Sequence, residues 1–584
     1  MPVHNADVAA VFEQIADLLE IQGENPFRVR AYRNGARVVQ GLPQELSATL
    51  RETGGVLPRL PGIGKDLAAK IGEIIDTGSC ALLRRLQNEL PAAITEILKI
   101  PGVGPKRVRA LYNGLHVQTI AQLADAARGG RVAGLPGFGP LLQRKILDET
   151  QARQNVEQRF KLATAAQYAE TLVAYLRETS GVKQTAVAGS YRRMRETVGD
   201  LDILVAADAG ERVMRRFIAY DEITRVLASG PTRASVVLKS GVQVDLRVVE
   251  PRSWGAALHY FTGSKAHNIA IRRLGAERGL KINEYGVFRG TRRIAGDTEE
   301  SVFAAVGLPW IAPELREAQG EIEAARAGHL PQLIECSDLR GDLHVHTQAS
   351  DGHDTLRAMA LAAKRFGLSY IAITEHSHSL TVAHGLDAAR LAQQGLEIDR
   401  LNATLGGITV LKGIEVDILG DGSLDLPEAA LRRLDIVVGA VHSRFDLTRA
   451  QQTARIVRAV QSGLVTILAH PSGRLIDERL PYDADLEVII RAARAAGCFL
   501  ELNAHPDRLD LDDARCRMAR TESAKVCINS DSHRATGFGN LRFGIGQARR
   551  GWLEAADVVN TLPRSAFMRT IQAQHATRRA MATV

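Results

Sequence analysis

Seven short apolar runs after residue 340 constrain this chain more than any other feature, because each ends in a polar side chain able to ligate or orient a metal ion. They are GDLHVHT (Gly341–Thr347), SYIAITEH (Ser369–His376), TVLKGIEVDIL (Thr409–Leu419), DIVVGAVH (Asp435–His442), TILAHP (Thr466–Pro471), FLELNA (Phe499–Ala504) and KVCINSDSH (Lys525–His533). Helix-like stretches separate them. Strands alternating with helices imply parallel βαβ units. In a β/α barrel the C-terminal strand ends converge on one face. Those ends would gather His344, His346, His376, Glu415, His442, His470, Asp531 and His533, with Asp351 from the first loop and Asn503 to orient a ligand or water. Imidazole and carboxylate together suit Mn²⁺, Zn²⁺ or Fe²⁺. Such a cage with an open water position points to hydrolysis. His353, His378, His384, His505 and His575 read as surface or outer-layer groups.

A chain of 584 residues exceeds what one hydrophobic core supports, so several domains are expected. Its net charge of +8 and pI of about 9.3 favour an anionic partner such as nucleic acid. Five cysteines without a C-x-x-C pair argue against a disulfide scaffold and fit a reducing cytoplasm. The first residues read as an amphipathic helix rather than a secretory signal. No run reaches the length of a membrane span.

Residues 1 to about 150 read as all-helical, punctuated by three copies of apolar-Pro-Gly-x-Gly: LPGIG (Leu60–Gly64), IPGVG (Ile100–Gly104) and LPGFG (Leu135–Gly139). A helix follows the second glycine each time. The glycine pairs Gly62 and Gly64, Gly102 and Gly104, and Gly137 and Gly139 let backbone approach a phosphate, and the helix N-terminus offers free N–H groups. Each turn resembles a helix-hairpin-helix element, whose phosphate contacts give salt-sensitive, sequence-independent DNA binding.

The composition then turns β-rich. The segment AGSYRRMRETVGDLDILV (Ala188–Val205) places Asp200 and Asp202 two apart on a strand, so both side chains leave one face. A third carboxylate, Asp245, lies in VQVDLRVV. Three clustered carboxylates repel unless cations neutralise them, and Mg²⁺ prefers carboxylate oxygens together with substrate phosphates. Two such ions activate a 3′-hydroxyl and stabilise leaving pyrophosphate.

These motifs resemble the family X DNA polymerases, of the DNA polymerase beta type, over roughly residues 1–318. HYFTGSKAHNIAIR (His259–Arg272), KINEYG (Lys281–Gly286) and AYRNGARVV (Ala31–Val39) carry the likeness further. The resemblance implies two Mg²⁺ or Mn²⁺ ions at Asp200, Asp202 and Asp245. It implies a triphosphate cradle at Gly189, Ser190 and Arg193, and sugar packing by Tyr260, Phe261 and Gly263 that excludes a 2′-hydroxyl. Asn268 and Arg272 would sit near the nascent base pair. Lys70 matches the family's deoxyribose-phosphate lyase nucleophile, although Asp66 and Arg28 stand where relatives carry lysines; by itself Lys70 reads as a solvated helix lysine. Gln243 replaces a basic residue of those relatives.

The C-terminal third resembles a PHP (polymerase and histidinol phosphatase) domain, a distorted (β/α)7 barrel with a trinuclear metal centre. The expected organisation is therefore multidomain: a small helical gap- and 5′-end-binding domain (1–90), a second helix-hairpin-helix domain (91–152), an α+β nucleotidyltransferase palm (153–250), a nucleotide-selecting thumb (251–311), a linker or helix (312–337) and the PHP barrel (338–575). The combination implies short-gap filling in DNA repair on gapped or primed duplex with dNTPs, coupled to 3′-5′ end hydrolysis; cleavage at abasic sites stays open. The expected protein is a cytoplasmic, nucleoid-associated monomer without a membrane partner. Two other readings stand beside it, a non-catalytic gap-binding repair scaffold and a phosphoesterase for small phosphomonoesters.

Overall fold

A computed structural model describes residues 5–40, 46, 50, 63–89, 97, 100, 103–115, 117, 119–135, 137–140, 142–147 and 159–581. The chain forms two compact units, Met1–Gln158 with Ala318–Gly320, and Arg159–Glu317 with Glu321–Val584. Among the described residues no helix is long and apolar enough to cross a membrane.

The first unit is helical. Its N-terminal helix, Asn5–Gln22, repeats apolar residues at helical spacing, and Val8, Phe12, Ile15 and Leu19 are all buried. They share one core with Val29 and Tyr32 of the helix Pro26–Gln40 and with Leu67, Ile71 and Ile74 of the helix Lys65–Thr77. Gly64 caps that last helix in extended conformation, and Gly78 ends it at φ +73°, a left-handed turn that glycine adopts without strain. In the second half of the unit, Thr119 and Gln122 form a reciprocal capping box at the start of Ile120–Arg128.

The second unit opens with a five-stranded mixed sheet. Its strands in chain order are β1 (Val182–Val187), β2 (Asp200–Ala207), β3 (Ile223–Ser229), β4 (Arg233–Leu238) and β5 (Gln243–Val249), and their order across the sheet is β1-β2-β5-β4-β3. Strands β2 and β5 run parallel, with Asp202 paired to Asp245 and Asp200 to Gln243. Period-two alternation sends Leu201, Ile203 and Val205 of β2 and Val244, Leu246 and Val248 of β5 into one core, which leaves the three aspartates on the opposite face.

A smaller antiparallel sheet follows, β6 (Lys281–Asn283), β7 (Gly286–Arg289) and β8 (Arg292–Ala295), packed with the helices Trp254–Thr262 and Lys265–Glu277. Within the stretch 312–337, all but Ala318–Gly320 belongs to this unit. It contains the short helix Glu321–Ala327, and Leu315, Ile322 and Ala325 are buried in the same core as Ile271 and Phe303.

All seven expected barrel strands are present: β9 (Gly341–Val345), β10 (Tyr370–Ile373), β11 (Thr409–Asp417), β12 (Ile436–Ala440), β13 (Ile467–Leu468), β14 (Phe499–Asn503) and β15 (Val526–Asn529). They are parallel and follow one another in sequence order around the sheet. Between the first and last strands the ring is joined by the bridge Val345–Ser532. The strands are buried on both faces, which explains their continuous apolar reading. Residues at alternate positions, such as Ile371, Leu500 and Ile528, pack with Ile456 and Ile489 of the flanking helices. The other alternation begins apolar and ends polar: Ile436 and Val438 lead to His442, and Phe499 leads to Glu501 and Asn503. Phe567 of the helix Arg564–Met581 stacks on Tyr370 at 5.3 Å between centroids and joins this apolar layer.

Candidate active sites

The first cluster lies on the five-stranded sheet. Carboxylate oxygens of Asp200, Asp202 and Asp245 all fall within 4.8 Å of one another. Burial, followed by repulsion from Asp200 and Asp245, pushes the Asp202 carboxyl up to about 7. Burial and then Asp245 raise Asp200 as well. A divalent cation removes that conflict and satisfies the carboxylates together, so the donor set fits Mg²⁺ or Mn²⁺.

Of the two residues that hold Asp245, Gln243 was noted in the sequence and Ser235 was not. Ser235, its register partner on β4, donates its hydroxyl to one Asp245 oxygen, and the Gln243 amide donates to the other at 2.9 Å. Arg247 is a second missed residue. It lowers the Asp202 pKa alongside Arg193, so both cations lie near that carboxylate, and its guanidinium sits 4.6 Å above the Phe261 ring. The signal for Arg247 was its place two residues after Asp245 on one strand.

Gly189 adopts φ +60° at the start of the short helix Gly189–Arg192, which also carries Ser190. A Cβ at Gly189 would lie 2.3 Å from Asp202 Oδ2, so only glycine lets the turn close over the triad. Arg193 donates Nε to Glu317 at 3.0 Å and Nη1 to the Thr262 carbonyl. Its guanidinium also faces Gly263, where a Cβ would meet Nη1 at 3.1 Å. Arg192 is committed elsewhere: it forms a two-pronged pair with buried Glu299 at 2.8 and 2.7 Å. Tyr260 and Phe261 are half-buried, with rings edge-on at 5.2 Å. The Asn268 amide donates to the Tyr260 carbonyl at 2.6 Å and ties the two helices together, while Arg272 is exposed. A cavity of about 370 Å³ opens beside Arg247, Phe261, Glu284, Tyr285 and Arg293.

The second cluster crowns the barrel. Glu415 is its centre: one carboxylate oxygen faces His376 Nδ1 at 2.8 Å, His344 Nε2 at 3.3 Å and His346 Nε2 at 3.6 Å. The other oxygen faces His470 Nε2 at 3.1 Å and His442 Nε2 at 3.3 Å. Three groups hold their donor atoms within 4.8 Å: His346, Asp351, His376 and His533; His344, His346 and Asp531; and His376, Glu415 and His442. All nine expected ligands therefore meet in one place.

This donor set fits cations. His344 Nε2, both ring nitrogens of His346, His376 Nδ1 and Glu415 Oε2 are buried without a hydrogen-bond partner, an arrangement that is costly unless ions use those lone pairs. Burial alone would keep His344, His376, His442 and His533 neutral, yet the surrounding carboxylates outweigh it and draw each toward imidazolium. Protons thus collect where cations belong. His346 behaves differently: burial, reinforced by His533 and His376, holds it neutral, down to about 3. His470 and Asp531 take up left-handed backbone at φ +27° and +53°, a strain that persists where surrounding structure imposes it at functional sites.

An outer layer fixes the ligands, and most of it escaped sequence reading. Glu501 accepts from His344 Nδ1 at 2.7 Å and from the His470 backbone N–H at 2.8 Å. Asp417 lies 2.5 Å from His442 Nδ1. Asn503, expected to orient a ligand or water, donates to Asp531 at 3.0 Å and to Glu501 at 3.1 Å. Glu501 and Asp417 each stand two residues from a residue already noted, Asn503 and Glu415, and that spacing was the available signal. His378, His384, His353 and His505 stay outside the cluster, and the His575 side chain lies outside the described residues.

In the first unit, Gly64, Gly104 and Gly139 each give their carbonyl to the first turn of the following helix. A Cβ at these three positions or at Gly137 would meet nothing within 4 Å, so their backbone faces open space. Gly62 and Gly102 lie outside the described residues. Lys70 is paired with Asp66 at 2.5 Å; burial disfavours its charge, but the Asp66 bond outweighs this and raises its pKa. A Schiff-base nucleophile needs a neutral amine, so this setting weighs against that role.

Family models match the chain as a helix-hairpin-helix domain (3–80), a SAM-like helix-hairpin-helix tandem (94–152), a DNA polymerase beta thumb (257–317) and a PHP domain (342–505). The chain is 38% identical to the DNA polymerase/3′-5′ exonuclease PolX of Bacillus subtilis (strain 168), over 96% of this chain and 97% of that protein. It is 25% identical to DNA polymerase lambda of Arabidopsis thaliana, over 54% of this chain and 62% of that one. A probable phosphatase of Thermoanaerobacter sp. (strain X514) is 29% identical over 38% of this chain and 89% of its own length.

Proposed function

The chain belongs to the family X DNA polymerases that carry a C-terminal PHP domain, and from that membership we propose a DNA-repair enzyme with two active sites, a DNA-directed DNA polymerase at Asp200, Asp202 and Asp245 and a 3′-5′ exonuclease in the barrel. The observation that carries this reading is the pair of separate donor clusters, one purely carboxylate and one rich in histidine, on different domains of one chain. A short gap in duplex DNA is the proposed substrate, gripped through phosphates by the glycine turns and extended with dNTPs.

Divalent cations held by the three aspartates, Mg²⁺ or Mn²⁺, supply activation of the primer hydroxyl and charge neutralisation at the leaving pyrophosphate. The chain's own residues do the rest. Ser235 and Gln243 fix both oxygens of Asp245. Gly189 and Ser190 bring backbone close to the triphosphate, and Arg193 supplies positive charge. Phe261 and Tyr260 pack against the sugar at the Gly263 turn. In the barrel, Mn²⁺, Zn²⁺ or Fe²⁺, about three ions, supply Lewis acidity toward the phosphodiester. There Glu501 and Asp417 orient His344 and His442, and Asn503 orients Asp531. We place the enzyme in the cytoplasm at the nucleoid, as a monomer.

The test uses a labelled gapped duplex with and without dNTPs in Mn²⁺. Asp200→Ala with Asp202→Ala abolishes extension and spares 3′-5′ hydrolysis; His344→Ala with His346→Ala does the converse. Loss of both activities in both folded variants overturns the two-site assignment. Hydrolysis of histidinol phosphate in preference to a 3′-recessed duplex would favour the small-phosphomonoester reading instead.

A further inference from the structure

One helix of the barrel, Leu541–Arg550, reaches the five-stranded domain at the segment that carries Arg193. Arg550 donates Nη1 to the Arg193 backbone carbonyl at 2.9 Å and to Glu317 at 2.9 Å, and Glu317 is the carboxylate that receives Arg193 Nε. Arg550 Nη2 is anchored on Asp513 within the barrel. The next residue, Met194, is held the same way. Its carbonyl accepts from Gln547 at 3.1 Å, and its side chain fills the space over Gly546, where a Cβ would lie 2.4 Å from Met194 Cε. Met194 itself sits at φ +55°, a conformation the surrounding packing must impose. Side-chain exposure is 4% for Arg550, 12% for Glu317 and 14% for Arg193, so solvent does little to screen these charges.

We infer that Arg550 of the barrel is a positioning residue for nucleotide binding in the polymerase site, acting through Glu317 and the Arg193 carbonyl. This rests on the proposed role of Arg193 in holding the triphosphate. Glu317, shared by Arg193, by Arg550 and at 3.8 Å by the more exposed Arg195, leaves Arg193 with net attraction for an anion. Without Arg550, only the distant, half-exposed Arg195 shares Glu317 with Arg193, so Glu317 turns more of its charge on Arg193 and competes with the incoming triphosphate. The backbone at Arg193 also loses a fixed donor. Through Arg550 the hydrolytic domain thereby contributes to synthesis by way of Arg193.

The full-length protein tests this by steady-state gap filling. Arg550→Gln raises KM for dNTP roughly tenfold with kcat changed by less than about twofold, because a ground-state binding contact is lost. The 3′-5′ hydrolysis rate of the same variant stays at the parent value, which reports an intact barrel. Arg550→Lys keeps the cation without the fork and gives an intermediate KM. In a Glu317→Gln background the Arg550→Gln effect shrinks, since the two residues act as one unit. Arg542→Gln removes another contact between the same domains, Arg542 to Glu170 at 2.5 Å, and leaves KM unchanged. The inference is overturned if Arg550→Gln leaves KM unchanged, if Arg542→Gln raises it equally, or if synthesis and hydrolysis fall together. Arg193→Gln separates the layers: if it does not raise KM for dNTP, the inference falls with the Arg193 assignment itself.

Discussion

Asp202 and Asp245 face each other as register partners on adjacent parallel strands, and Gly189 packs so close to Asp202 that a single added carbon would overlap its carboxylate oxygen. The proposed polymerase centre is therefore built from side chains that repel one another, held together by a sheet that pairs them and a turn that covers them.

Gly189→Ala tests the turn. The new methyl would stand 2.3 Å from Asp202 Oδ2, and φ +60° disfavours alanine. Displacement of a reacting group by about 1 Å costs on the order of a hundredfold in rate. Gap filling is expected to fall by at least that factor while 3′-5′ hydrolysis is unchanged; both are read from one labelled substrate.

The raised Asp202 pKa, about 7, sets a pH dependence. The folded value lies above the ordinary carboxyl value, so the metal-free protein binds the extra proton and loses stability as pH rises from about 4 toward 7. A cation must displace that proton. The Mg²⁺ concentration giving half-maximal extension is expected to rise as pH falls below about 7, approaching tenfold per pH unit, and to flatten above it. Extension assays across pH 5.5 to 8.5 at graded Mg²⁺, roughly the window that pKa defines, check both slope and plateau.

Glu501→Gln removes the carboxylate that orients His344 and receives the His470 N–H. Loss of such a supporting contact weakens metal binding by about 10- to 100-fold. The variant is expected to retain less metal after gel filtration, by elemental analysis, and to lose 3′-5′ hydrolysis before extension.

Phe567→Ala opens the apolar end of the barrel, where the ring stacks on Tyr370 and is fully buried. A buried phenylalanine truncated to alanine costs about 3–5 kcal/mol. The urea midpoint of the barrel transition should drop accordingly, and hydrolysis at low temperature should persist, since Phe567 lies in the apolar layer away from the ligands.

Much of this architecture could be read from residue order, for physical reasons. The barrel strands are short, apolar and terminated by ligands, so each announced both its fold and its chemistry. Asp200 and Asp202 declared a common face by their spacing. Ser235 was silent because cross-strand register is a tertiary property, and a serine in SVVLKS looks like any strand residue. Glu501 was passed over inside an apolar run, although Asn503 two residues later was noticed. Arg550 lies far from residue 193 in sequence and carries no motif; only packing of the two domains reveals it. The stretch 312–337 looked like a linker because its charges hide Leu315, Ile322 and Ala325, which the fold buries.

Strands β2 and β5 touch in the sheet but are separated in the chain by a helix and the hairpin strands β3 and β4. A nascent polypeptide interrupted before residue 249 would lack a complete partner for Asp202, and no local element carries the triad alone. The proposed competence to add a nucleotide thus depends on non-local strand pairing, which entropy opposes until the loop between the strands closes. Ions that bind the completed triad and not the unpaired strands would stabilise the paired sheet.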